Sequence, residues 1–233
     1  LSGSMKLTQV PDLSLAPNIE SVKLRLCASL IEVPSCFQDL NKLQELELTG
    51  CPSLCKLSGL PKNLITLEVL TRTVEPARSN VGCASLCSDF TCCDNAITWL
   101  LSPKFSSKLE RFPEISHPME CIETLTLDYS AIKELPFSIK NLTGLKKLSM
   151  DFCENLKFLP NSLHCLSSLQ TLSLSWCRKL ESLPRLPLFL SCIDVNCCTS
   201  LKKVSSSMDM VNQNWDDFFN RDRRVWGWEW DEK

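Results

Sequence analysis

The residues of this chain that could carry out chemistry are few. Its two histidines are His117 and His164, and His164 is followed by Cys165. A catalytic Cys165–His164 pair would need a third group to orient the imidazole and a pocket to hold a substrate, and neighbours on a surface segment supply neither. The phosphate-loop pattern G-x-x-x-x-G-K-[ST], the dinucleotide pattern G-x-G-x-x-G and the zinc-protease pattern H-E-x-x-H do not occur. The sequence therefore predicts that the chain is not an enzyme and has no catalytic residues.

The chain contains fifteen cysteines, and five of them recur at one position of a repeated pattern. This structural ladder is Cys27, Cys51, Cys153, Cys177 and Cys198. At that position a small, readily buried thiol is expected to turn inward and cap the backbone where it leaves a strand. Neighbouring turns about 4.8 Å apart would also allow disulfides, but free thiols in a reducing cytosol are favoured.

The repeated pattern is clearest over residues 122–187, where three copies follow one another. Each copy reads as L-x-x-L-x-L with conservative replacements, and the copies begin at Ile122, Leu145 and Leu169. A period in the twenties, with a Cys or Asn soon after the last leucine, is typical of leucine-rich repeats. The chain has forty leucines in 233 residues, as expected for a repeat with about seven apolar positions per turn.

This pattern predicts an α/β solenoid, the leucine-rich-repeat horseshoe. Each L-x-x-L-x-L forms a short parallel strand on the concave side, and the Leu-Pro step that follows begins a short helical or irregular convex segment. The predicted organisation has four parts. These are a first block of repeats at 1–70, an irregular Cys-containing insertion or degenerate repeat at 71–107, a second block at 108–204, and a Trp-rich C-terminal tail at 205–233.

Two of these parts leave alternatives open. The segment 71–107 contains four cysteines with the spacing C-x3-C-x4-C-C, at positions 83, 87, 92 and 93. Without a nearby histidine this spacing favours an insertion, a decayed repeat or an error in gene prediction over a zinc site, so no metal is expected. The alternating tryptophans of the tail could form a strand that caps the solenoid, although a frayed tail is favoured.

Strand residues that do not point into the core are expected to face outward on the concave side. Those predicted to bind a partner are Arg25, Glu47, Thr49, Asp128, Tyr129, Asp151, Phe152, Ser175 and Trp176. Three aromatics, Tyr129, Phe152 and Trp176, occupy the same position of three consecutive turns. Such a column suits a protein-recognition hot spot. The alternative is that this position, just before the ladder cysteine, is half-buried and favours large side chains.

Charge and hydropathy exclude several classes of partner. The net charge of −2 and a pI near 5.8 give no electrostatic footprint for nucleic acid or an anionic membrane. No apolar run approaches the roughly 18 residues of a membrane span, and no secretory leader is visible. The expected partner is a protein, in the cytoplasm or nucleus. Since Leu1 already lies inside a repeat, the start is expected to be a cut end.

Several phrases carry a resemblance to a known family. The Cys after the strand, the Leu-Pro step and the period resemble those of the cytosolic plant disease-resistance receptors of the TIR–NBS–LRR class. The segments Lys108–Ile115, Leu125–Pro136 and Leu180–Pro184 are similar to that family's repeats. The openings Leu1–Ser4 and Val10–Asn18 resemble its early repeats, just beyond the nucleotide-binding region.

The resemblance implies a sensor. In such receptors the solenoid recognises a pathogen effector or a guarded host protein, and it holds the nucleotide-binding domain of the same protein inactive. This implies no cofactor in this chain, with ADP or ATP bound in the nucleotide-binding domain of a parent protein. The alternative function is a stand-alone leucine-rich-repeat scaffold that binds protein partners without a nucleotide switch.

Overall fold

The computed structural model describes residues 1–71 and 107–204. The segment 71–107, apart from its two end residues, and the tail 205–233 lie outside the described residues. The predictions made for the cysteines at 83, 87, 92 and 93 and for the tail tryptophans therefore stay predictions, as do the predicted part boundaries.

The described residues form short strands and short 3-10 helices. In chain order the strands are β1 (Ser21–Lys23), β2 (Glu32–Val33), β3 (Glu45–Glu47), β4 (Lys56–Leu57), β5 (Thr66–Glu68), β6 (Thr124–Thr126), β7 (Lys147–Ser149), β8 (Thr171–Ser173), β9 (Ser182–Leu183), β10 (Cys192–Asp194) and β11 (Lys203–Val204). The 3-10 helices of the described residues are η1 (Ser35–Asp39), η2 (Phe137–Asn141) and η3 (Asn161–Cys165).

Seven of the strands form one parallel sheet in the order β1-β3-β5-β6-β7-β8-β10. The order follows the chain, so each repeat stacks on the one before it. Strand β5 pairs directly with β6, with Leu67 opposite Leu125, although residues 72–106 lie between them in sequence. The two blocks of repeats therefore share one sheet. Two smaller parallel pairs, β2 with β4 and β9 with β11, lie where the chain leaves the main strands.

The core lies behind this sheet and is built from the repeated apolar positions. The central residue of each three-residue strand points inward, as Leu46, Leu125, Leu148 and Leu172 do with no exposed surface. Burying each such side chain stabilises the fold by about 1.5–3 kcal/mol, and neither neighbouring repeat could do so alone.

A Leu-Pro or Val-Pro step precedes each 3-10 helix of the described residues. Pro34, Pro136 and Pro160 immediately precede the helices with extended backbone, at φ values of −71°, −68° and −68°. Proline suits this place because its missing N–H would have no partner in the first turn. Phe37 and Leu163 then hold two of these segments to the core with no exposed surface.

These features confirm the predicted leucine-rich-repeat solenoid of parallel strands. The helical segments are 3-10 rather than α, as expected for five-residue segments that close with i to i+3 hydrogen bonds. Within the described ranges, no helix is long and apolar enough to cross a membrane.

Candidate protein-recognition surface

The ladder cysteines link each repeat to the one before it. The thiol of Cys51 donates to the backbone oxygen of Leu24 at 3.1 Å, and that of Cys177 donates to Met150 at 3.1 Å. Cys198 donates to Leu174 at 3.0 Å. Each carbonyl lies at the end of the preceding strand, so the thiol satisfies a backbone acceptor of the neighbouring turn rather than of its own.

The ladder cysteines are buried, and all five are at most 4% exposed. Burial raises the pKa of Cys51 to about 11 and the pKa of Cys198 to about 12. The thiolate is the reactive form of cysteine, so Cys51 and Cys198 serve the fold and are poor nucleophiles.

The residue before each ladder cysteine adopts a left-handed backbone, as does Tyr129, which precedes Ser130 at the equivalent position of its turn. The φ is +57° at Leu26, +72° at Gly50, +59° at Tyr129, +59° at Phe152, +65° at Trp176 and +60° at Cys197. For residues other than glycine this conformation costs about 1–2 kcal/mol. It is maintained because the backbone N–H of this residue bonds the next repeat, as from Tyr129 to Asp151 O at 2.8 Å and from Trp176 to Asn196 O at 2.7 Å.

Three consecutive left-handed positions carry stacked aromatic rings, here called the aromatic ladder: Tyr129, Phe152 and Trp176. The centroids of Tyr129 and Phe152 are 4.6 Å apart at an interplanar angle of 5°. Those of Phe152 and Trp176 are 5.8 Å apart at 3°. The guanidinium of Arg178 lies 5.1 Å from the Trp176 ring centroid and continues the stack. All three rings are half-buried. Because their faces cover one another, the exposed part of the ladder is a row of ring edges.

Two carboxylates beside the ladder fix the turns that carry it. Asp128 Oδ1 accepts a hydrogen bond from Ser149 Oγ at 2.7 Å and another from the N–H of Asp151 at 2.9 Å. Asp151 Oδ1 accepts equivalent bonds from Ser173 Oγ at 2.7 Å and from the N–H of Ser175 at 2.8 Å. Each aspartate thus ties its own turn to the next one.

Burial raises the pKa of both aspartates. It raises the pKa of Asp128 to about 6, against the opposing effect of the Ser149 hydroxyl and the Asp151 N–H. The pKa of Asp151 is also raised, with burial again the largest cause. Two part-buried carboxyl groups with raised pKa values therefore lie directly beside the aromatic ladder.

The first block has ion pairs at the equivalent strand positions. Arg25 bonds Glu47 through two nitrogens, Nη2 to Oε2 at 2.8 Å and Nε to Oε1. The side chain of Thr49 donates to the same carboxylate at 3.1 Å. These bonds, above all that from Arg25, hold the pKa of Glu47 below its usual value. Lys23 pairs with Glu45 at 3.0 Å.

All nine residues predicted to bind a partner belong to the strand face or its exits, but two of them are not exposed. Glu47 is 5% and Ser175 8% exposed. Neighbouring side chains cover these two, because strands about 4.8 Å apart bring those side chains within reach. Their predicted contact with a partner stays a prediction. The other seven stay predicted contacts. Sequence reasoning missed Arg178, whose only signal was its position two residues after Trp176.

The strand face combines aromatic rings with carboxylates and hydroxyl groups. Among residues 1–71 and 107–204, no group of three or more His, Cys, Asp or Glu side chains could hold a metal ion. A leucine-rich-repeat solenoid with an extended, half-polar strand face belongs to a class of repeat protein that binds other proteins along that face.

The particular relatives are plant proteins. A family described as "Disease resistance protein RPS4B-like, leucine-rich repeats" matches residues 99–188. The chain is 32% identical to Disease resistance protein RPS6 of Arabidopsis thaliana, with 67% of this chain and 21% of that protein covered. It is 35% identical to Protein SUPPRESSOR OF npr1-1, CONSTITUTIVE 1 of the same plant, with 65% and 13% covered.

One solved structure is also similar. It is the leucine-rich repeat domain of the type III effector XopL, at 20% identity and a TM-score of 0.44, with 82% of this chain and 73% of that chain covered. The relatives confirm the predicted resemblance to the leucine-rich repeats of plant disease-resistance proteins. The chain spans only about a fifth or less of the length of the two plant relatives described above.

Proposed function

We propose that this chain is the protein-recognition and autoinhibitory leucine-rich-repeat module of an intracellular plant immune receptor. It senses a pathogen effector or a guarded host protein in the cytoplasm or nucleus. The observation that carries the proposal is the aromatic ladder, which runs unbroken across three repeats on the strand face of a chain similar to disease-resistance proteins.

The ladder has the properties of an interface hot spot. Aromatic side chains bring a large contact area at a small cost in rotamer entropy, and stacking already restricts them in the free protein. The aspartate bonds to the neighbouring turns hold the backbone under the rings. A partner therefore meets a rigid row of ring edges, and little ordering of this surface opposes binding.

Autoinhibition follows if the nucleotide-binding domain of a longer parent occupies the same solenoid in the resting state. ADP or ATP would then bind in that domain and not in this chain. An effector shifts such an equilibrium only through its different affinity for the closed and released states. The effector and the nucleotide-binding domain would compete for the same surface, so the effector would bind the released state more tightly than the closed one.

Recognition is tested by comparing Trp176→Ser with a matched variant, Phe158→Ser. Phe158 is 49% exposed and pairs with Ser182 outside the main sheet. Wild type and both variants are immobilised in parallel, treated with leaf extract from effector-challenged plants, and the bound proteins quantified by mass spectrometry. We expect specific proteins to be retained by wild type and Phe158→Ser and lost from Trp176→Ser.

Thermal unfolding of the same samples separates recognition from stability. Similar melting temperatures for the two variants are expected. Retention that does not depend on Trp176 would overturn the recognition surface, and a collapse of Trp176→Ser would show that the ladder is part of the core.

The proposed nucleotide switch of a longer parent protein is tested by sequencing the transcript that encodes this chain. An in-frame phosphate loop upstream, of the form G-x-x-x-x-G-K-[ST], is expected. A start codon just before Leu1 would contradict the switch and leave a stand-alone scaffold.

A further inference from the structure

A cysteine and a histidine meet on the 3-10 helix η3, away from the strand face. The Sγ of Cys165 lies 3.5 Å from Nε2 of His164, and both residues are exposed. The other ring nitrogen, Nδ1, lies 2.5 Å from the backbone oxygen of Asn161. The sequence-based expectation that nothing orients this imidazole is therefore wrong, because a backbone carbonyl one helical turn earlier does so.

The carbonyl of Asn161 also fixes which nitrogen carries the proton. A carbonyl oxygen only accepts hydrogen bonds, so Nδ1 must be the donor. In the neutral ring Nε2 then has a free lone pair, and that lone pair faces the thiol of Cys165. Cys165 thus supplies a thiol, His164 a base that faces it, and Asn161 an acceptor that orients the base. This is the arrangement that activates a nucleophile.

Another exposed cysteine has the opposite environment. The thiol of Cys55 lies 3.4 Å from the backbone oxygen of Ile31 and donates its proton to it. That acceptor cannot take up the proton, so sulfur would have to break this bond in order to react. Cys121 and Cys192 are also exposed. Cys55 thus provides a comparison thiol within the same molecule.

We propose that Cys165 is a thiol-modification site at which His164 acts as general base for exchange with a small disulfide. In the step, the Sγ–H proton passes to Nε2 as sulfur attacks one sulfur of the small disulfide. A new S–S bond forms to Cys165 while the S–S bond of the reagent breaks. The leaving thiolate takes the proton from the imidazolium and departs as a thiol. Cys165 is oxidised to a mixed disulfide, and half of the reagent is reduced.

The site needs no substrate pocket, because a small disulfide can reach an exposed thiol directly. A modified Cys165 would lie on the side of the solenoid opposite the aromatic ladder. Leu163 and Leu166 of the same segment are buried in the core with no exposed surface. Modification of Cys165 is therefore independent of the proposed partner recognition.

The test uses glutathione disulfide as the probe with the full 233-residue chain. Samples are quenched over time, and the modified fractions of Cys165, Cys55, Cys121 and Cys192 are measured by peptide mass spectrometry. Wild type is compared with His164→Gln, which removes the base, and with His117→Gln, which removes the other histidine. We expect Cys165 to react about tenfold faster than Cys55, a small effect for general-base catalysis.

His164→Gln should bring Cys165 to the rate of Cys55, while His117→Gln should leave the ratio unchanged. In denaturant the ratio should fall towards one, because the Asn161 carbonyl no longer orients the ring. Equal rates in the folded wild type would overturn the proposal, as would a ratio that survives His164→Gln. The comparison within one molecule corrects for protein loss.

Discussion

The two blocks of repeats use the same backbone positions for different chemistry. In the first block two ion pairs join neighbouring strands, Arg25 with Glu47 and Lys23 with Glu45. In the second block no ion pair among the described residues holds Asp128 or Asp151, and both accept hydrogen bonds from the neighbouring turn instead. In the first block the carboxylates of Glu45 and Glu47 are each paired with a cationic side chain. The arrangement in the second block stabilises the turns that present the aromatic ladder, which locates the proposed recognition surface in the second block.

The left-handed positions show the same division. The first block has Gly50 there, which adopts φ of +72° without steric cost, and Leu26, whose side chain is 46% exposed. The second block has Tyr129, Phe152 and Trp176, whose rings stack on one another, and Cys197 in the last turn. Strain in the second block is accompanied by contacts that glycine could not make.

The largest loss of stability is expected at Gly144, where a turn of the second block has no space for a side chain. A Cβ added to Gly144 would lie 2.7 Å from the carbonyl carbon of Glu120 and closer still to its oxygen, so backbone must move. At Gly59 of the first block the nearest atom is the Gln38 Cβ at 3.3 Å, so a neighbour need move by only a few tenths of an ångström. Gly144→Ala should reduce the free energy of unfolding by about 3 kcal/mol and Gly59→Ala by less than about 1 kcal/mol. Urea unfolding of the two variants measures this, and equal losses would show that both turns can relax.

The next largest effect is a difference between the two blocks in how stability depends on pH. Burial raises the pKa of Asp128 to about 6 in the folded state, above the roughly 3.9 of an unfolded aspartate. The folded state therefore binds this proton more tightly, so the charged group costs stability at pH 7. That cost disappears as pH falls through about 6 towards about 4. Asp128→Asn keeps an Oδ1 acceptor, and should gain about 2 kcal/mol at pH 7 and almost nothing near pH 4.

Glu47 of the first block should show the opposite sign. Its pKa is lowered, chiefly by the hydrogen bond from Arg25. The resulting stabilisation is fully present above the unfolded value of about 4.3 and is lost as pH falls through the lower folded value. Glu47→Gln should therefore destabilise the chain at pH 7. Melting temperatures of both variants at several pH values test the pair, and changes of the same sign would remove the contrast.

The smallest effect concerns the left-handed positions. Leu26→Gly should stabilise the chain by about 1 kcal/mol, because it removes strain from an exposed side chain. Phe152→Gly removes similar strain but also two stacked pairs, each worth about 0.5–1.5 kcal/mol beyond its buried area. It should be net destabilising, by about 1 kcal/mol. Thermal unfolding of the two variants checks the sign, and stabilisation by both would mean that the stacking contributes little.

Much of the fold could be predicted because it depends on a local pattern. The spacing of Leu145, Leu148 and Met150 repeats at Leu169, Leu172 and Leu174, and all six side chains have no exposed surface. Whether a position points inward depends on alternation along its own strand, which the sequence shows directly. The buried cysteines and the prolines that begin the 3-10 helices follow from the same reasoning.

The candidate site was less predictable, because its contacts join different turns. Glu47 looks like a free charge in sequence, but Arg25, 22 residues earlier, pairs with it and helps to cover it. The bond from Ser149 to Asp128 spans 21 residues. The orientation of His164 by Asn161 depends on a 3-10 turn, since an α-helical turn would place that carbonyl differently.

The sequence by itself determined the repeat, its inward-facing residues and the column of aromatics, since these reflect which side chains must leave water. Only the tertiary structure decided that the rings stack, that the aspartates bond the next turn, and that Glu47 and Ser175 are covered. The physical reason is that periodicity along one strand sets direction, whereas contacts across strands depend on the register and spacing at which separate turns pack.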